Sequence, residues 1–377
     1  MPLLINEEQS MLKESAKDFL KSNSPVSALR SLRDKKSELG YDVNIWKKMV
    51  EIGWTGLTIP EEYGGLNFGY VGFGQILEET GRTLAASPLL SNVLLGAATI
   101  SIAGNEKQKE KILPAIASGE LLVTLAIDEK NRHQPDFIAA TAFKHKDGKY
   151  ELNGKKVFVL DGHIADQYIV LAQSSYVDLG QALYLIDAKT EGIKCTRNVM
   201  MDGRNVATLE FDEALLPEEN LIGAMKEGPE IIEKVLDIAR IGLSAEMLGS
   251  MQEAFERTMS YLRERQQFGV FIGSFQALQH RSAKMYCEIE LCKSMVINAL
   301  QAIDKEADNL PELASTTKAK VGETLKLVTN ECIQMYGGIG MTDDEEIGFF
   351  LKRARVADQT FGDVAFHLDR YAKIRGY

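Results

Sequence analysis

The spacing of the apolar residues changes twice along the chain, and no fold built from a single class of secondary structure accommodates both changes. From Asn6 to about residue 122 hydrophobic side chains recur at helical intervals. Met11, Ala16, Phe19 and Leu20 follow an Asn6 cap and the acidic pair Glu7-Glu8, and Ile45, Trp46, Met49 and Val50 repeat the pattern. The turn-rich run Thr58-Ile-Pro-Glu-Glu-Tyr-Gly-Gly65, Gly81 and the stretch 104–111 ahead of Leu113-Pro114 punctuate it. Between about 122 and 222 the period becomes two, in Phe143 and Tyr150, Val157 and Val159, Tyr168 and Val170, Leu183 and Leu185, and Leu209 and Phe211. That alternation predicts antiparallel strands. Lys146-Asp147-Gly148-Lys149 and Asn153-Gly154 suit hairpin connections, because Asn, Asp and Gly tolerate positive φ. From about Gly228 helical spacing returns in the runs 245–254, 283–299 and 314–327, broken at Asn309-Leu310-Pro311 and Gly337-Gly338. The reading is a helical domain over 1–121, a β domain over 122–227 and a helical bundle over 228–377, closely packed and without a fixed repeat.

Composition narrows the partners. The chain has 377 residues, enough to bury about three quarters of its unfolded surface. Its 43 Lys and Arg against 54 Asp and Glu leave a net charge of -11, a field that repels a nucleic-acid backbone. Cys195, Cys287, Cys292 and Cys332 form no CxxC pair and have no histidine at ligand spacing, so reduced thiols in a cytoplasmic protein are expected and no metal. The N-terminus turns acidic at once, unlike a signal peptide. The apolar stretch 89–98 is interrupted by Ser91 and Asn92 and is shorter than the ~20 residues of a spanning helix, so no membrane span is expected.

Five segments carry a family resemblance in order along the chain: Thr58-Ile-Pro-Glu-Glu-Tyr-Gly-Gly65, Leu152-Asn-Gly-Lys155, Arg265-Gln-Gln-Phe-Gly269, Phe275-Gln-Ala-Leu-Gln-His280 and Gln334-Met-Tyr-Gly-Gly-Ile-Gly340. Over its whole length the chain resembles the FAD-dependent acyl-CoA dehydrogenases. The resemblance implies an α+β multidomain fold: an N-terminal helical domain, a middle antiparallel β-barrel and a C-terminal four-helix bundle. It also implies FAD held between subunits. By matching position Arg265 faces the flavin pyrophosphate and Phe268 its adenosine part, Phe158 lies beside the ring, and Gln276, Gln334, Gly337 and Gly338 come from the neighbouring subunit. The residue types suit those roles. A guanidinium offers a rigid, permanently charged fork to a diphosphate, and glycine lets backbone N–H groups approach it.

The family's reaction removes a proton next to a thioester carbonyl while hydride leaves the next carbon for the flavin. A carboxylate can do this only where the developing enolate is stabilised by preorganised donors. In the segment that usually holds the catalytic Glu the chain reads Thr360-Phe361-Gly362-Asp363. At the alternative position, just before an arginine on an earlier helix, stands Ala239. Both base positions are empty. The flavin-flanking loop of the family is replaced by 128–136, which has no glycine, and its Trp-Ile-Thr by Phe158-Val159-Leu160, which loses a hydroxyl.

Asp363 is the candidate replacement base, in the same segment as the missing Glu; a helix N-cap ahead of Val364 is its plainer role. Asp237 and Asp358 are weaker alternatives. Arg240 is expected near the acyl-CoA, His280 at an interface, and His367 at the surface or as a cap. The resemblance therefore implies dehydrogenation of an acyl-CoA with a displaced base, in fatty acid metabolism, with electrons passing to an electron-transferring flavoprotein. The alternatives are a non-catalytic FAD-pocket subunit of a heteromeric dehydrogenase and a flavin monooxygenase or oxidase of the same fold. The expected assembly is a homotetramer or an α2β2 heterotetramer with a related chain.

Overall fold

The computed structural model describes residues 4–174 and 180–377. The chain opens with helices α1 (Glu7–Asn23), α2 (Val26–Asp34), α3 (Val43–Glu51) and α4 (Gly69–Thr83), then α5 (Ala98–Ala103) and α6 (Glu106–Ala117). Strands β1 (Val123–Ala126), β2 (Thr141–Lys144), β3 (Tyr150–Leu160), β4 (Gln167–Ser174), β5 (Gln181–Asp187), β6 (Ile193–Val199), β7 (Asn205–Leu216) and β8 (Leu221–Ile222) follow. The last part comprises α7 (Gly228–Glu264), the short hairpin β9 (Gln266–Gln267) and β10 (Val270–Phe271), α8 (Gln276–Asp304), α9 (Leu310–Tyr336), α10 (Ile347–Gln359) and α11 (Val364–Arg375). Asn6 caps α1 as expected: its side chain accepts from Gln9 N at 2.8 Å while Gln9 Oε1 accepts from Asn6 N at 2.9 Å.

Two compact units emerge, and the division falls within α7 between Ala239 and Arg240. One holds α1, α2, α4 and the helices that follow Arg240. There α1 packs on α4, α4 on α8, and α9 on α8, α10 and α11, so the expected four-helix bundle is a larger helical assembly that recruits N-terminal helices. Gly81, read as punctuation, lies inside α4, where that helix meets α7. A Cβ on Gly81 would sit 1.9 Å from Glu246 O, and one on Gly249 would sit 1.7 Å from Glu78 O. The two glycines let the helix backbones touch.

The other unit contains the sheet, with strand order β6-β7-β3-β2-β4-β5-β8 and β1 beside β4. The expected antiparallel barrel is corrected on two counts. The path runs open from β6 to β8 among the described residues, and β1 and β2 each pair with β4 in parallel. Alternation also fails in β4 and β5, which are buried on both faces because Tyr168, Val170, Ala172, Tyr184 and Ile186 build one core cluster while Ile169, Leu171 and Leu183 fill the other side. Lys146–Lys149 does turn β2 into β3, with Gly148 at φ 91°. Asn153-Gly154 does not form a hairpin. It lies inside β3 opposite a bulge in β7, since Leu152 pairs with Ala214 and Gly154 with Phe211; Gly154 stands at φ 135°, a Cβ there would meet Ala140 Cα at 2.7 Å, and Asn153 Oδ1 accepts from Glu213 N. The apolar stretch 89–98 becomes a buried π-helix over Leu90–Ala97, a form that frequently marks functional sites.

Candidate active site

The segment expected to hold the base is a tight turn between α10 and α11. Gly362 takes φ 104°, and Asp363 Oδ1 accepts from Phe366 N at 2.8 Å, so the N-cap role read for Asp363 is the one its geometry displays. Phe361 adopts φ 59°, a left-handed conformation that is rare for a bulky side chain. Three buried side chains hold this turn by its carbonyls. Arg240 Nε donates to Phe361 O at 3.4 Å, and His367 Nε2 lies 3.1 Å from the same oxygen, which makes Nε2 the protonated nitrogen. Lys318 Nζ donates to Gly362 O at 2.9 Å and Asp358 O at 3.0 Å. His367 is fully buried, which corrects its expected surface position: it faces inward from the first turn of α11 to meet Phe361. Burial pushes the Lys318 ammonium down to about 8, with the Asp358 carboxylate working against that shift. Arg240 is also fully buried, its guanidinium 5.6 Å from the Phe366 ring centroid.

The residues expected against the adenosine end of FAD gather at the opposite end of α7, about 37 Å from Arg240 at 1.5 Å per residue. Arg265 leaves α7 into the β9–β10 hairpin, where its O accepts from Ile272 N at 2.9 Å. Phe268 sits at the hairpin tip with φ 57° and is 89% exposed, edge-on to Phe275 at 6.2 Å. Gln276 begins α8 at once. Tyr261 stacks on Tyr336 with centroids 4.3 Å apart, joining the hairpin end of α7 to the end of α9, where exposed Gln334, Gly337 and Gly338 lie. Gly337 terminates α9 at φ 69°, ψ -143°, a region essentially closed to other residues. A Cβ on Gly337 or Gly338 would meet nothing within 4 Å, which leaves the backbone open to a large ligand.

In the sheet unit Phe158 adopts φ 54° at a bulge in β3 and is half exposed, keeping an aromatic face available. Leu160 is buried and its carbonyl accepts from Thr124 Oγ1. The glycine-free segment after β1 is anchored by a buried ion pair: Lys156 Nζ contacts Glu129 Oε1 at 2.7 Å, and the Glu129 carboxylate accepts from Ala139 N and Ala140 N. Sequence reading passed over Asp161, whose only signal was its place three residues after Phe158. Its partly buried carboxyl accepts from Ser91 Oγ of the π-helix at 2.6 Å.

Burial raises the Asp161 carboxyl from 3.8 to about 6, against the opposing Ser91 hydrogen bond and the Arg204 charge. The folded state therefore keeps a proton that the unfolded chain releases, and stability falls as pH rises through that window. Asp161→Asn is expected to raise stability by about 2–3 kcal/mol at pH 7 and by little at pH 4, read from urea melts at both values. Equal gains at both pH values would assign the effect to something other than ionisation.

These groups fit FAD unequally. The α7–α9 end offers a guanidinium, an exposed aromatic ring and open glycines, which suit a dinucleotide. The sheet unit keeps one aromatic face but not the hydroxyl. Among the described residues no group of three or more His, Cys, Asp or Glu could hold a metal, and no helix is long and apolar enough to cross a membrane.

Helices before and after a sheet in the chain, one exposed end suited to a dinucleotide and a clamped turn at 358–363 agree with the class the resemblance implies, an FAD-dependent oxidoreductase. The sequence matches the acyl-CoA dehydrogenase N-terminal domain over residues 6–120, the middle domain over 129–214 and the C-terminal domain over 226–374, and the chain belongs to the acyl-CoA dehydrogenase family, whose cofactor is FAD. It is 30% identical to the mitochondrial 2-methylacyl-CoA dehydrogenase of Solanum tuberosum over 372 residues, covering 96% of this chain and 88% of that one. Among solved structures it superposes on butyryl-CoA dehydrogenase from Megasphaera elsdenii with a TM-score of 0.91 at 25% identity, covering 100% of both chains. It superposes on a variant of the Tcur3481–Tcur3483 steroid ACAD with a TM-score of 0.88 at 28% identity, covering 98% of both.

Proposed function

We propose that this flavoprotein takes part in α,β-dehydrogenation of an acyl-CoA thioester as the FAD-clasping subunit of an α2β2 assembly, in which a related chain supplies the carboxylate base and electrons pass to an electron-transferring flavoprotein. One observation carries the reading: the base positions hold Phe361 and Ala239, which cannot accept a proton, while Arg265, Phe268, Gln276, Gln334, Gly337 and Gly338 all stand at one exposed end. When bound, FAD supplies the hydride acceptor. Arg265 pairs with the diphosphate, Gly337 and Gly338 admit it to the backbone, and Phe268 covers the adenosine, leaving water at the rim. A structural relative named for two proteins, the Tcur3481–Tcur3483 ACAD, supports a two-chain arrangement.

Expressed alone, the chain is expected to be flavin-poor and inert toward acyl-CoA thioesters, and co-expression with a Glu-bearing companion to restore both flavin and turnover. A yellow, active homo-oligomer would overturn the proposal.

A second reading has Asp363 as the base of a homotetramer. It is favoured by a half-buried carboxylate two residues beyond Phe361, next to Gly362 at φ 104°. Under it, Asp363→Asn abolishes anaerobic flavin bleaching while FAD stays bound; unchanged bleaching removes Asp363 from the chemistry.

A further inference from the structure

Lys318 lies in the middle of α9, fully buried, and both of its hydrogen bonds go to backbone carbonyls of one turn, Asp358 O and Gly362 O. Arg240 and His367 reach Phe361 O in the same turn from two other helices. A buried ammonium is costly unless its bonds are well made, so three cationic or dipolar donors aimed at carbonyls 358, 361 and 362 represent a large investment in one backbone shape. That shape is unusual. Phe361 is held at φ 59° and Gly362 at φ 104°, and a left-handed conformation costs a bulky residue energy that its contacts here offset. The helix cap on Asp363 fixes the far side of the turn, at 2.8 Å to Phe366 N. Asp358 and Asp363 supply the negative charge that faces the ammonium, and Arg240 adds a like charge.

We propose that Lys318 is a positioning residue: with Arg240 and His367 it clamps the 358–363 turn by its carbonyls in a left-handed form, so that residue 361 is displayed in one fixed pose on a scaffold ready for a carboxylate. Resting on the acyl-CoA reading above, the consequence is that this chain lacks a side chain for proton abstraction but keeps the seat for one. With glutamate at 361, the α-proton of a thioester passes to the carboxylate. Bound FAD would supply the acceptor for the β-hydrogen and its electron pair, and the carbon–carbon bond would become double.

Two measurements test the clamp on the full-length chain. Hydrogen exchange of the free protein is expected to accelerate at least tenfold in peptides spanning 356–367 in Lys318→Met, with the rest of α9 and α11 unchanged. Lys318→Gln, which keeps a donor, should recover part of the protection. Acceleration spread evenly over α9, α10 and α11, or none at all, would overturn the positioning role. The second measurement uses the chain supplied with excess FAD, and butyryl-CoA, isovaleryl-CoA and octanoyl-CoA under anaerobic conditions. Phe361→Glu should gain flavin bleaching, and Phe361→Glu with Lys318→Met should lose at least tenfold of that rate at unchanged thioester affinity. Equal rates in the single and double variants would also overturn it. Failure of the subunit reading would appear elsewhere, as activity of the unaltered chain alone, so the two outcomes are separable.

Discussion

Alanine at position 249 is expected to destabilise the α-helical unit by more than about 3 kcal/mol, although alanine in place of a helical glycine ordinarily stabilises by about 0.5–1 kcal/mol. The reversal comes from the crossing of α4 and α7. The added methyl would sit 1.7 Å from Glu78 O and 2.6 Å from Glu78 C, backbone atoms that cannot rotate away, so the helices must part. Parting them also disturbs Gly81 against Glu246 O and the neighbouring buried pair between Arg353 and Glu246, 2.9 Å apart. Thermal melts of Gly249→Ala and Gly338→Ala make the comparison. Gly338 is open all round and its alanine variant should melt within a degree or two of the parent. A Gly249→Ala protein as stable as the parent would show that the crossing is looser than its geometry.

Removing the Glu129 carboxylate should have an effect of similar size in the sheet unit. Glu129→Ala leaves Lys156, completely buried, with only Ile127 O at 3.0 Å, and deprives Ala139 N and Ala140 N of their acceptor. Breaking a buried pair on one side costs about 3–5 kcal/mol, because the surviving charge is desolvated without compensation. Glu129→Leu combined with Lys156→Met should regain much of that loss by removing both charges, though the two amides stay unsatisfied. Urea unfolding gives the energies. Trypsin gives the location: with the anchor gone, cleavage after Lys130 and Arg132 should precede cleavage elsewhere. If the single variant is no less stable than the double, the ion pair is not what holds segment 128–140.

The helical and sheet segments were legible because their signals are local. Asn6 with Gln9 forms the cap its sequence announces, Lys146–Lys149 makes the expected turn, and Pro311 sits in the first turn of α9. What escaped was set by distant partners. Gly154 reads as a turn residue until Ala140 is known to press on it, and Gly81 as a breaker until α7 is known to cross there. The stretch 89–98 gives no hint of π geometry in its apolar pattern, nor of the distant contact by which Asn92 Oδ1 accepts from Val123 N at 2.8 Å. The site divides the same way. Arg265, Phe268, Gln276, Gln334, Gly337 and Gly338 stand out by motif. Lys318 sits in an alanine-rich run and His367 in a short amphipathic helix, and neither shows in sequence that it points at the carbonyls of residues 358–362.

The exposed tip of the β9–β10 hairpin has a cost outside chemistry. Phe268, Phe271 and Phe275 project into water from one short stretch, at 89%, 49% and 38% exposure. Left uncovered, this greasy knuckle faces every nascent chain nearby and invites clumping and disposal. Under the two-chain assembly proposed above, synthesis of the two chains would have to be balanced, and overproducing this one alone should yield inclusion bodies rather than surplus enzyme.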